Sequence, residues 1–380
     1  MFVLLLMFDS VVLASDNIDD IIKQKLDSTD LSEIDNIIKQ INAETGGNLP
    51  EIDIKEFITG FYKGDNKYSF IDFLKGFVRY FANEFLNNSL MIGKIIVLAV
   101  IYAILKNLQG AFEDGKVAEL SYFICYMVFI LIILKSFFVS FNISKIAIDS
   151  MVNFMHSILP IVSVALVISG SVASTSFLKP AVLFSVEFLS TITRDLIIPL
   201  VFFSAILTII NNFSDKIYIS KLSDLIKSIA TFGLGLICTV FLGVLTVEGL
   251  ASSTIDGITI RSAKFAVGAL VPVVGGIVTD TIDAIVSASL ILKNIMGIAG
   301  IIVLAILIAT YLIKLLAVIV VYKIAAAVIQ PISENKMTQC ISDIAGFLTF
   351  MFISVLSVGI MFFIAITAII GAANITVMMR

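Results

Sequence analysis

The chain has 380 residues, of which 59% are hydrophobic and 14% are charged, whereas roughly a quarter of the residues in soluble domains are charged. A water-soluble protein of this size cannot bury so much apolar surface. The composition therefore excludes a soluble globular protein and predicts an all-α, polytopic helical membrane protein.

The formal net charge of −4 is distributed unevenly along the chain. Residues 15–88 contain 14 acidic and 8 basic side chains, whereas residues 89–380 contain 14 acidic and 17 basic ones. Neither part has the clustered basic face of a nucleic-acid-binding protein. The three cysteines form no CxxC motif and no Cys/His cluster, so we expect neither a metal site nor a cofactor.

Residues 1–14 resemble the apolar core of a signal peptide. Val12 and Ala14 occupy the small-residue positions before a cut at Ser15. The basic region that normally precedes the apolar core is missing, and Asp9 interrupts the run. A degenerate signal, a start codon placed too far downstream and a short uncleaved tail all fit this pattern.

Residues 15–88 are predicted as a soluble, acidic helical segment on the extracytoplasmic side. That orientation leaves Lys106 and Lys116 in a cytoplasmic loop, in agreement with the positive-inside rule. Aromatic and aliphatic residues between Phe70 and Phe81 form an amphipathic stripe. The stripe fits two structures equally, a helix that packs on its own small domain and a helix that lies on the membrane surface.

Residues 89–380 are predicted as a transmembrane domain of about seven spans, two more or two fewer, because apolar runs of ~20 residues match the hydrocarbon thickness. The expected spans are 90–108, 119–139, 151–170, 181–211, 229–250, 262–322 in two or three segments, and 343–370. Prolines and glycines within these runs predict broken or re-entrant helices. The expected break positions are Pro160, Pro199, Pro272, Gly275 and Gly276.

The two halves of this domain resemble each other, with repeat units at about 150–250 and 262–370. Ser214-Asp215 with Leu222-Ser223-Asp224-Leu225 matches Ser333-Glu334 with Ile341-Ser342-Asp343-Ile344, at an offset of 119. Duplicated membrane units are typical of transporters and channels, which form a path at the repeat interface. A duplicated scaffold without a path is the alternative.

Charged side chains within apolar spans cost a few kcal/mol unless they reach water or a partner. They are therefore the candidate site residues, either lining a path or forming ion pairs that fix helix packing. These residues are Lys94, Glu187, Arg194, Asp195, Glu248, Lys293 and Lys314. Arg194 and Asp195 are adjacent and point about 100° apart on an α-helix, so we expect them to pair with other groups. Lys94 lies close enough to a span end to reach the interface.

His156 is the only histidine and lies within an expected span. A proton relay is one interpretation. No carboxylate stands at helical spacing from His156, which favours a packed polar residue.

Residues 216–229 form a second amphipathic stripe, which fits an interfacial helix between spans or a helix that binds a partner. The chain contains no GxxxxGK[ST], GxSxG or HExxH motif, so we expect it not to be an enzyme.

Several segments from residue 90 onward resemble the stage III sporulation protein AE family. They are Leu105–Gln109, Leu242–Gly249, Phe265–Gly276, Ser287–Asn294, Tyr322–Pro331 and Gly371–Arg380. The N-terminal 90 residues are similar to that family only in kind, as a signal sequence followed by a variable soluble segment.

The resemblance implies a component of a channel complex that links mother cell and forespore during endospore formation. It implies partners among the other proteins of the stage III sporulation A operon and a forespore protein, in the mother-cell-derived outer forespore membrane. The chain would then be the conduit or export platform, required after engulfment, with energy from a separate subunit. A non-conducting scaffold and an independent secondary transporter are the alternatives.

Overall fold

The computed structural model describes residues 31–53, 55–57, 60, 69–109, 115–168, 172–213, 219–270, 275–332 and 335–378. These residues form helices and connecting turns, and no strand occurs among them. The helices are α1 (Ser32–Thr45), α2 (Phe70–Gln109), α3 (Gly115–Ile168), α4 (Val172–Ile192), a π-helical turn (Thr193–Ile197), α5 (Ile198–Phe213), α6 (Ser220–Leu270), α7 (Gly275–Ile329) and α8 (Asn335–Met378).

Six stretches of these helices are long and apolar enough to cross a membrane. They are Ile71–Ile104, Phe123–Val164, Pro180–Asn212, Ser220–Val247, Lys293–Ile329 and Lys336–Gly371. Helices suit this environment because they satisfy every backbone polar group internally, where the hydrocarbon offers no hydrogen-bond partner. The all-α, polytopic membrane architecture expected from the sequence is confirmed.

Helix α3 joins the expected span 119–139 and residues 151–168 of the expected span 151–170 in one uninterrupted helix of 54 residues. Its length is roughly 81 Å at 1.5 Å per residue. The helix continues because the polar stretch between the two runs contains neither glycine nor proline. Ser140 and Ser144 in that stretch instead bond to the carbonyls of Ser136 and Ser140, at 3.3 and 2.9 Å.

The expected break at Pro160 is wrong, because α3 runs through this residue. Pro160 lies on the exposed side of α3, where the ring does not meet a neighbouring helix and the helix axis is free to bend. Pro199, in contrast, follows the π-helical turn Thr193–Ile197. Its ring conflicts with the carbonyl four residues earlier, at Asp195, and the wider π-turn accommodates that conflict.

Pro272 lies outside the described residues, and Gly275 and Gly276 begin α7. Helix α6 ends at Leu270 and α7 begins at Gly275, both within the expected segment 262–322. From Gly275 onward α7 is continuous for 55 residues.

Helices α7 and α8 form the centre of the bundle. Helix α7 also packs against α1, α2 and α3, and α8 packs against α3, α5 and α6. Close approach of α7 and α8 depends on small residues, since a Cβ at Gly359 would lie 2.9 Å from Cδ1 of Ile308. Farther along α7, the Tyr322 hydroxyl donates to the carbonyl of Ile133 in α3 at 3.1 Å.

The substitution Gly359→Leu is expected to destabilise the bundle by about 1–3 kcal/mol, because overpacking forces side chains and backbone to move. Thermal unfolding of the detergent-solubilised protein measures the effect. Gly346→Leu is the matched control on the same helix, since nothing lies within 4 Å of a Cβ at Gly346. Equal melting temperatures for the two variants would contradict the close α7–α8 contact.

Candidate functional site

Polar side chains form a stripe along α3 inside its membrane-spanning stretch. They recur every three or four residues and therefore lie on one face of the helix. The stripe consists of Asn142, Lys145, Asp149, Asn153 and His156. Asn153 and His156 are exposed, and the remaining three are half-buried.

At one end of the stripe, α3 meets the π-helical turn through four charged side chains. Arg194 donates from Nη2 to Oδ2 of Asp195 at 2.7 Å and from Nε to Oδ1 at 2.9 Å, and its Nη1 also bonds to Asp149. Lys145 Nζ lies 3.5 Å from Asp195 Oδ1. The group carries two positive and two negative charges and is neutral overall.

As expected from the sequence, both residues pair with other groups, Arg194 with Asp149 and Asp195 with Lys145. They also pair with each other. The cause is the length of the arginine side chain, whose planar guanidinium folds back onto the next carboxylate and presents two donors to it.

Farther along the stripe, His156 Nε2 lies 2.9 Å from Oε2 of Glu187 in α4. The two side chains are 48% and 58% exposed. Sequence reasoning missed this pair because the carboxylate stands 31 residues away on a different helix. Predicting this pair would have required knowledge that α3 and α4 run side by side.

The two sets of contacts are rungs of one ladder. Asp149 and His156 are seven residues apart on α3. Glu187 of α4 and Arg194 of the π-helical turn that continues α4 are also seven residues apart. Each interval is two helical turns, or roughly 10 Å. We call these six side chains the polar ladder: Lys145, Asp149, His156, Glu187, Arg194 and Asp195.

The polar ladder cannot face lipid. A charged side chain at the centre of a membrane helix costs about 2.5–3.5 kcal/mol even on the lower scales. The side chains of Asp149, Glu187 and Asp195 are 45%, 58% and 46% exposed. Their exposed oxygens therefore require water or another protein group.

The N-terminal helix α1 is docked beside this stripe. Its buried face packs on α3 and α7 through Ile34, Ile38 and Ile41. At its C-terminal end Glu44 forms an ion pair with Lys314 of α7, one of the candidate charges. Residues 31–53 of the segment that was expected to be soluble thus include a helix against the membrane bundle.

A tyrosine links the three helices at this contact. The Tyr311 hydroxyl of α7 lies 2.9 Å from Ser150 Oγ of α3 and accepts a hydrogen bond from Gln40 Nε2 of α1 at 3.4 Å. Lys314 Nζ is 5.9 Å from the centre of the Tyr311 ring, within range of a cation–π contact.

Comparison with known proteins identifies the family. A sequence profile described as stage III sporulation protein AE matches residues 52–373. The chain belongs to the stage III sporulation protein AE family. The stage III sporulation protein AE of Bacillus subtilis (strain 168) is 36% identical over 353 residues, which cover 93% of this chain and 88% of that protein. No solved structure matches.

Family membership makes this chain a sporulation protein, and its six apolar stretches make it a multi-pass membrane protein. The match begins at residue 52, earlier than the resemblance seen from about residue 90. It therefore includes part of the segment whose sequence was expected to be variable.

Two other candidate charges of this family member, Lys293 and Lys94, lie on helices that carry no ladder residue. Lys293 is fully buried, and its Nζ donates to the carbonyl of Ile370 in α8 at 2.6 Å. This geometry is that of a packing contact between α7 and α8. The side chain of Glu248 lies outside the described residues, and half-exposed Lys94 lies on α2 at the edge of an open depression.

The repeated Ser-Asp pairs of this family member stand at helix contacts. Ser223 bonds to Ser204 and Thr208 of α5 at 2.9 and 2.6 Å. Asp343 of α8 accepts a hydrogen bond from Asn212 of α5 at 2.9 Å. Both repeat blocks thus hold neighbouring helices against α5, and the duplication itself stays a prediction.

The charge reversal Lys314→Glu is expected to loosen α1, because it places two carboxylates at the contact with Glu44. Limited proteolysis of the detergent-solubilised protein should then cut α1 several-fold faster. The double variant Lys314→Glu with Glu44→Lys restores opposite charges and should return cleavage to near the wild-type rate. Cleavage that stays fast in the double variant would contradict the ion pair.

Proposed function

We propose that this protein is a conduit or export-platform subunit of a channel complex that links mother cell and forespore. Its expected location is the mother-cell-derived outer forespore membrane, and it would act after engulfment in forespore development. Its partners would be the other proteins of the stage III sporulation A operon and a forespore protein. The role is non-catalytic, with energy supplied by a separate subunit.

The polar ladder carries this proposal. A protein that only anchors others in a membrane gains nothing from half-exposed charges at the depth of its spans, since each charge costs free energy there. A path for polar solutes requires such a surface. Membership in a sporulation family supports the cellular setting.

Exposure separates the ladder from two other candidate charges, Lys293 and Lys314, which are fully buried and 18% exposed, respectively. Lys293 is fully buried and bonded to a backbone carbonyl, so its contact serves packing. Glu187 is 58% exposed and pairs with a histidine that is 48% exposed. Exposed pairs contribute little to stability, typically below about 1 kcal/mol, which makes a functional reason for their presence the better explanation.

The test replaces the native gene with Glu187→Gln, and separately with Arg194→Gln. Glu187→Gln removes the charge at the contact with His156, and Arg194→Gln removes the guanidinium that joins Asp149 and Asp195. We expect at least about tenfold fewer heat-resistant spores, with forespores that stop developing after engulfment. Immunoblots of the membrane fraction should give the wild-type amount of protein.

Phe188→Leu is the matched control, because Phe188 adjoins Glu187 and is 51% exposed without a charge. It should sporulate normally. If both ladder variants sporulate normally, the ladder does not line the path. If the variant proteins are missing from the membrane fraction, the charges serve folding instead of transport. A clean deletion strain that forms normal spores would overturn the channel assignment itself.

A further inference from the structure

Helix α1 packs alongside the stretch Lys293–Ile329 of α7, which is long and apolar enough to cross a membrane. Leu31 and Ile34, in its first turn, share a small apolar cavity with Met296 and Ala299 of α7, and Glu44 at its end pairs with Lys314. The helix therefore follows α7 in the same direction from about residue 296 to 314. Between Lys293 and Lys314 α7 has no charged residue over about 20 positions, the length that crosses the hydrocarbon.

The outer face of α1 has the composition of a helix in water. Its exposed residues are Ser32, Glu33, Asn36, Lys39, Gln40 and Ala43. None of the large hydrophobic residues exposed in the described part of the chain belongs to this helix. Lipid cannot cover such a face, since each polar group would lose its hydrogen bonds.

The α3 stripe continues this face toward α4. Ile161 of α3 lines the cavity with Leu31 and Ile34, and Ser157, one turn earlier, adjoins the exposed Asn153 and His156. Pro160 has no N–H to donate to the carbonyl of His156, which adds a polar atom to the same side. The polar ladder completes the surface at α4 and the π-turn.

Water suits this surface better than a protein partner does. Protein interfaces rely on buried aromatic and aliphatic anchors. Between Asn142 and Pro160 the large exposed hydrophobic residue on α3 is Ile146 alone, and those that adjoin the ladder on the other side are Phe184, Phe188 and Leu196. The four charged side chains around Arg194 pair with one another and are neutral overall, so they present no net charge to a partner of opposite charge. Water satisfies mixed donors and acceptors in any geometry.

We propose that the outer face of α1 and the polar ladder line one water-filled cleft at membrane depth, with α1 as part of its wall. In the function proposed above, this cleft would form part of the transport path, so its role in transport rests on that proposed function. It also predicts a property of the purified protein, which is measurable without sporulation.

The test measures how fast single cysteines react with a positively charged methanethiosulfonate in the full-length chain, reconstituted in lipid. Cys125, Cys238 and Cys340 are first replaced by alanine. Asn36→Cys on α1 and Asn153→Cys on α3 report on the cleft. Phe232→Cys is the control, because Phe232 on α6 is 72% exposed and lies on a helix that contributes no side chain to the polar ladder.

Both cleft cysteines should react at least about tenfold faster than the control, because the thiolate is the reactive form and does not form in hydrocarbon. Equal, slow reaction of all three would overturn the proposal, since the face would then be covered by lipid or by another copy. Fast reaction of Asn36→Cys with slow reaction of Asn153→Cys would also overturn it, because α1 would then lie in water apart from the ladder. If the cleft cysteines react fast but deletion of the gene leaves sporulation normal, the cleft stands and only the proposed channel role is refuted.

Discussion

In the hydrocarbon core of a membrane a charged side chain costs about 2.5–3.5 kcal/mol or more, and nothing in lipid offsets that cost. This chain nevertheless places six ionisable side chains on facing surfaces of α3, α4 and the π-turn, with exposed fractions between 30% and 58%. Pairing reduces the cost without removing it, because the outward oxygens and nitrogens still need partners. These unmet needs are the reason for proposing that one side of the bundle is withheld from lipid.

The remaining structure is consistent with that proposal. Several of the most exposed aliphatic and aromatic side chains lie on helices without a ladder residue, for example Leu90 on α2, and Phe232 and Val247 on α6. The centre, formed by α7 and α8, is held by small residues and by the buried Lys293, which bonds to a backbone carbonyl. An amphipathic helix with a polar exterior, α1, covers part of α3 and α7 next to the ladder. A lipid-facing side and a polar side thus belong to one bundle.

Composition and apolar run length predicted the membrane class because both depend on local sequence. Contacts between distant residues could not be predicted in the same way. Gln40 and Tyr311 are 271 positions apart, and His156 meets a carboxylate on another helix. Helix interruptions could be predicted only in part, because the sequence shows where a proline is but its effect on the helix depends on its surroundings. Pro160 lies on an exposed face and leaves α3 continuous, whereas Pro199 follows a π-turn.

The distribution of lipid around the bundle tests this account most directly. Cryo-electron microscopy of the full chain in a lipid nanodisc would locate acyl-chain density at each helix face. We expect that density against Leu90 and Phe232, and none at the same depth against Asn153 and Lys39. Ordered acyl chains lying against Asn153 and the outer face of α1 would contradict the account, because the polar side of the bundle would then face lipid.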